Sequence, residues 1–290
     1  MVAVVNSSMH RVALVIQYLG TRFHGWQRQS NGVSVQQTIE DILTGICKHK
    51  VILHGAGRTD TGVHADAQVA HFDTNSPVPC DRWAKVLNAY LPDDILVKAS
   101  AAVSLDWHAR FSASWRRYRY TIFTHATPNL FVRDYSWHYY LDPLDRDLMQ
   151  AAIAPMLGHQ HLAAFQRAGS KRPHAWLTVQ EAQCWREEDF VYIEMQASGF
   201  LYGMMRLLVG MLVEVGRSRL SVSEFTQIWQ QQRRSDVRYA APPQGLCLLS
   251  IGYPHNPFAG SSITATKSAS SVGAIQRPVA RLPGEIAMQI

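Results

Sequence analysis

The sequence has no long uninterrupted apolar run. Its most apolar segment, "GFLYGMMRLLVGMLVEVG", is interrupted by Arg206 and charged again at Glu214. That is too short and too charged to cross a bilayer. Cysteine is scarce: Cys47, Cys80, Cys184 and Cys247 lie far apart with no CxxC pair, which excludes the common zinc-site spacings and a small-domain disulfide framework. Four separated thiols suit a reduced, cytosolic setting. No charged n-region followed by an apolar h-region opens the chain, so no secretory signal is predicted. These absences predict a soluble, cytoplasmic protein. The histidine pairs are incomplete as metal sites, because neither His159 with His161 nor His64 with Asp66 has a further ligand at suitable spacing, and no metal is expected. An RNP1-like signature is missing too, which disfavours an RRM-type binder.

What is present is an ordinary globular composition in 290 residues, 47% hydrophobic and only 17% charged, enough for one large domain or two of usual size. The net charge is +6 with a pI near 9.2, which favours an anionic partner without naming it.

Periodicity divides the chain. "RVALVIQYL" reads as a strand, and a Ser34/Gln37 capping signature precedes a helix carrying Ile39, Ile42, Leu43 and Ile46 on one face. Strand-like "KVIL", a glycine-rich loop and alternating "AQVAHFDT" follow, then a helix capped by Asp81 and stopped at Pro92, then the strand "ILVKASAAV". Strand, helix, strand, strand, helix, strand is the split βαβ order of ferredoxin-like domains. The same order recurs: "WRRYRYTIF", a helix from about Asp145 to Leu157, a hairpin around Glu187 and Glu188, a helix from Phe200 to Gly216, and "GLCLLSIGY". "YSWHYYL" adds a strand, and a Ser221/Glu224 capping box opens a further helix. The predicted class is α+β with two ferredoxin-like halves, 1–105 and 106–253. A small, polar, aperiodic tail, 254–290, is expected to be flexible.

Three features carry chemistry. The first is "GAGRTDTGVHA", where Gly55, Gly57 and Gly62 permit tight turning around Asp60, with Arg58 two residues away. A loop aspartate commonly does no more than cap its own turn. The second is Arg206, set among Met204, Met205, Leu207 and Leu208 on a helix apolar nearly all round. A buried guanidinium needs a partner. Arg206 either reaches across to Asp60, leaving it ionised and suited to act as nucleophile or base, or it reaches the helix end or pairs locally with Glu214. The third is "SWRRYRYTIF", in which Tyr118, Tyr120 and Ile122 face one way and Arg117, Arg119 and Thr121 the other. Arginines interleaved with aromatics suit RNA, although for any single strand an aromatic core face with a solvated basic face is the commoner case.

"GRTDTGVHADAQVAHF" resembles the signature of the pseudouridine synthases, of the tRNA pseudouridine synthase A type. "YLGTRFHGWQRQ", "LNAYLPDDI", "DWHARFSASWRRYRY", "GHQHLAAF" and "GFLYGMMRLLVG" fall in that family's order, so the resemblance runs from about Arg11 to Tyr253. It departs from the family at Gly203 and Leu207, where His and Asn are frequent, and at Leu162, where Asp is frequent.

The resemblance implies a homodimer in which the antiparallel sheets of the two halves meet at a central, positively charged cleft. Its activity would be isomerisation of uridine to pseudouridine at positions 38, 39 and 40 of the tRNA anticodon stem-loop, without a cofactor. It also implies roles: Asp60 as catalytic carboxylate, Arg58 displacing the target base, Tyr118 stacking on the flipped uracil, and Arg206 paired with Asp60. Arg58, Arg110 and Arg116 would hold phosphates. Two other classes predict different behaviour. A non-catalytic RNA-binding protein would be indifferent to residue 60, and a base-releasing hydrolase would need a second carboxylate near it.

Overall fold

The computed structural model describes residues 9–169 and 174–259. Strands β1 (His10–Tyr18), β2 (His54–Gly55), β3 (His64–Thr74) and β4 (Ile95–Val103) belong to the first half, with helices α1 (Val35–Cys47) and α2 (Trp83–Asn88) between them. The second half holds β5 (Trp115–Phe123), β6 (Trp137–His138), β7 (Gly158–His161), β8 (Trp176–Glu187), β9 (Phe190–Ala197) and β10 (Leu246–Gly252). Its helices are α3 (Arg146–Ile153), α4 (Met204–Gly216) and α5 (Val222–Gln230).

The strands form one mixed sheet in the order β4-β1-β3-β10-β5-β9-β8-β7, with β2 beside β3 and β6 beside β5. The class is therefore α+β. The last strand sits at the middle: β10 pairs parallel with β3 and antiparallel with β5. One row of the sheet runs Ala65, Leu248, Tyr118. The strand that leaves the glycine loop is thus only one strand away from Tyr118.

β1 reads as a continuous apolar run because both its faces are covered. Val12, Leu14 and Ile16 join the main core, while Ala13 and Val15 join a second cluster with Ala56, Val69, Ala99 and Ala109. β5 alternates as expected, with Tyr118, Tyr120 and Ile122 buried in the main core. Every residue of α4 is buried except Arg206, which is half-buried.

Several expectations are corrected. "KVIL" forms no strand, because side chains from α1 satisfy it: Leu53 N–H donates to the Glu40 carboxylate (2.9 Å) and Leu53 C=O accepts from Gln36 (2.9 Å). Asp81 does not cap α2, whose N-cap is Arg82 with no side-chain bond. The long helix starts at Met204, not Phe200, since Gly203 at its N-cap is left-handed (φ 70°) and Phe200 packs edge-on to Tyr118. Of "YSWHYYL" only Trp137 and His138 pair, parallel to β5. The segment after Pro254 begins packed, with Phe258 buried in the second cluster; residues 260–290 lie outside the described residues. Both capping signatures form contacts. Ser34 accepts from the Gln37 amide, and Ser221 and Glu224 complete a reciprocal box.

Candidate active site

The glycine loop is held from three sides. Ala56 N–H donates to Val69 C=O (2.8 Å), and the buried Gln68 amide donates to Gly57 C=O (2.7 Å). The end of β1 and the segment after it supply the second side: Trp26 N–H donates to Thr59 C=O (3.1 Å), and Tyr18 and Thr59 share a hydroxyl bond at 2.7 Å. The third is a turn closed by Val63 N–H on Asp60 C=O (3.1 Å), with Gly62 at φ 78° in the position that needs a left-handed residue. Of the three loop glycines only Gly62 uses positive φ. Gly25, at φ 79°, lies so close beneath the loop that a Cβ there would stand 2.5 Å from Thr59 O.

This scaffold presents Asp60 to α4. Arg206 Nη1 donates to Asp60 Oδ2 at 3.2 Å, across the boundary between the halves. The two side chains are 16% and 17% exposed. Arg206 is itself fixed at both ends, since its Nε donates to Ala241 C=O (2.7 Å) and its own C=O accepts from Ala241 N–H (2.8 Å). The local alternative does not occur: Glu214 is taken by Arg217 (3.3 Å) and Tyr239 (3.1 Å).

Tyr118 lies beside the same loop, its Oη 3.8 Å from where a Cβ on Gly57 would stand. Its ring meets Phe200 edge-on at 4.7 Å. Burial pushes the Tyr118 phenol well above its usual range; the Arg116 charge opposes that shift and the Asp60 charge adds to it. Tyr118 is therefore a neutral aromatic near the Asp60 carboxylate. An ion-paired carboxylate, an aromatic ring and a cation held by opposite halves form a site for nucleophilic or proton-abstraction chemistry.

A family model described as tRNA pseudouridine synthase matches residues 14–112 and 152–254, a span that holds Asp60 and Arg206. The chain belongs to the tRNA pseudouridine synthase family. It is 62% identical over 248 residues to the tRNA pseudouridine synthase A of Nostoc sp., covering 86% of this chain and 88% of that one. Identity to the Synechocystis sp. protein of the same name is 57% over 257 residues, 88% of this chain and 94% of that one. The Gloeobacter violaceus protein, also so named, is 51% identical over 259 residues, 89% of this chain and 85% of that one. Membership makes the chain an isomerase acting on uridine in tRNA.

Four arginines of this pseudouridine synthase stand otherwise than the sequence suggests. Arg58 is exposed and makes no ion pair with Asp60, so one arginine rather than two flanks the carboxylate. Arg116 is occupied: its guanidinium donates to the carbonyls of Ala113, Ser198, Ala56 and Arg110, tying the glycine loop to β5 and to the segment before it. Arg117 and Arg119 are neutralised by Glu181 and Glu194 and lie over Trp115, Trp185 and Tyr192, so that face of β5 is not a free basic stripe. Arg110 is exposed, its guanidinium over the Phe111 ring at 5.6 Å. Sequence reasoning missed Tyr18, Gln68 and Ala241. The only signal for Gln68 was a polar residue at an inward position of an alternating strand.

Proposed function

We propose that the chain isomerises uridine to pseudouridine at positions 38, 39 and 40 of the tRNA anticodon stem-loop, with Asp60 as the catalytic carboxylate. The observation that carries this is the Asp60–Arg206 pair, which places an anion at the seam between the halves, next to Tyr118. Asp60 assists cleavage of the C1′–N1 bond, by attacking C1′ or by removing the proton at C2′. The freed uracil turns in the site and rejoins through C5, whose proton is lost while N1 gains one. No electron or group leaves the substrate, so the reaction requires no cofactor.

The target must first leave its stack, at a cost of about a few kcal/mol. Arg58, exposed on the loop two residues from Asp60, enters the vacated place, and the uracil stacks on Tyr118. Arg206 holds Asp60 in orientation. Arg58 and Arg110 serve the phosphates. Arg116, with its donors on carbonyls, supports the loop instead.

Each half is read as ferredoxin-like. That reading is supported by the β4-β1-β3-β2 order in the first half and the β10-β5-β9-β8 order in the second. A homodimer working in the cytoplasm completes the proposal. No helix among the described residues is long and apolar enough to cross a membrane.

The test uses tRNA transcripts with a single uridine at position 38, 39 or 40, incubated without metal or nucleotide, with pseudouridine mapped by carbodiimide-blocked primer extension. Modification of all three supports the proposal; modification confined to other positions would sink it.

A further inference from the structure

His64 opens β3, four residues after Asp60, and is 5% exposed. Both of its ring nitrogens are used. Gly20 N–H donates to Nδ1 at 3.0 Å, and Nε2 lies 2.8 Å from Asp134 C=O. An amide N–H can only donate, so Nδ1 carries the lone pair. The ring is then the neutral Nε2–H tautomer, donating to Asp134. Burial pushes its basicity down, in the same direction.

These two bonds run to opposite halves. Gly20 belongs to the segment following β1 and lies hard against the turn that carries Asp60: a Cβ on Gly20 would stand 2.0 Å from Val63 O, and Val63 N–H closes that turn on Asp60 C=O. Asp134 belongs to the connection between β5 and β6 in the second half, where Tyr135 also meets the His64 ring at 5.6 Å. That connection is ordered from within by Asn129, which accepts from Phe131 N–H, and by Ser136, which donates to Val132 C=O. His64 therefore fastens the catalytic turn to the half that holds Arg206 and Tyr118.

We propose that His64 is a positioning residue of the isomerase: through its single neutral tautomer it fixes the placement of the Asp60 turn against the second half. This rests on the catalytic role proposed for Asp60. Misplacing a reacting group by about 1 Å costs roughly 100-fold in rate. The effect therefore falls on kcat, while KM for tRNA, set by the wider surface, moves little.

Two near-isosteric variants separate the bonds. His64→Gln places an amide donor at the reach of Nε2 and keeps the Asp134 contact; His64→Asn offers only an acceptor to Gly20. Steady-state tritium release from C5-tritiated tRNA is measured for both and for His64→Ala, beside thermal melts. The expected result is that Gln keeps kcat within about threefold of wild type, while Asn and Ala lose roughly 10- to 100-fold in kcat with KM changed less than about threefold. Equal kcat for Asn and wild type would overturn the proposal, as would losses that appear only in KM. If Ala fails to fold, the Asn and Gln pair still decides. A wild-type protein that released no tritium would instead sink the function on which the proposal rests.

Discussion

Replacing Arg206 by Met removes the guanidinium but keeps the length and apolar stem that α4 packs. Two groups are then stranded: the Asp60 carboxylate and the Ala241 carbonyl. For unit charges at the observed 3.2 Å, the Coulomb term is roughly 5 kcal/mol at an effective dielectric near 20, before desolvation is subtracted. Both side chains are about one-sixth exposed, so the pair lies between the nearly worthless surface case and the costly buried one. A coupling of about 1–3 kcal/mol is the resulting expectation. The abandoned carbonyl adds roughly 1–3 kcal/mol to the cost of Arg206→Met, independent of residue 60.

The assay is a double-mutant cycle of Arg206→Met and Asp60→Asn followed by urea unfolding. Arg206→Met alone should be the most destabilising member, and its cost should shrink by about 1–3 kcal/mol when Asn replaces Asp60. Additive effects within about 0.5 kcal/mol would refute the pairing as an energetic link between the halves.

Three further outcomes follow from the same geometry. Gly25→Ala should lower both Tm and activity, because a Cβ at φ 79° and 2.5 Å from Thr59 O costs at least about 1–2 kcal/mol and displaces the loop; an unchanged melt would contradict this. Tyr118→Phe should retain most activity, whereas Tyr118→Ala loses the stacking surface, about 1–3 kcal/mol or roughly 5- to 150-fold in tritium release. His71, buried at 1% exposure, is pushed down to about 3 by burial first and then by Arg11, His108 and His54, with Asp73 opposing. Its folded form binds the proton less readily than the unfolded chain. Stability is therefore intact above about 6.5 and falls as pH drops toward 3, by at most about 1.4 kcal/mol per pH unit. Melts between pH 7 and 5 should show a shallower acid loss for His71→Gln; equal slopes would contradict the assignment.

Much of the architecture is legible because local pattern and burial agree. β1, β5, α1 and the Ser221-capped α5 each read correctly from periodicity and caps. What fails is decided by distant partners. "KVIL" has strand composition, but Glu40 and Gln36 take the bonds a neighbouring strand would. Arg206 was legible as a cation in need of a partner, yet its second anchor, Ala241, is a backbone carbonyl that no sequence pattern marks. The proximity of Tyr118 to the loop depends on β10 inserting between β3 and β5, a parallel pairing made by the last strand of the chain. Arg58 and Arg116 show the limit of counting cations. Both read as phosphate ligands, but four carbonyls occupy the Arg116 guanidinium, whereas Arg58 is exposed.

The central claim is that Asp60 performs the chemistry. Its most direct test is single-turnover tritium release from C5-tritiated tRNA, with wild type and Asp60→Asn at concentrations that saturate binding and without added metal or nucleotide. The expected result is release by the wild type and none above background by the Asn variant, with tRNA still bound by both. Release by Asp60→Asn at the wild-type rate would contradict it.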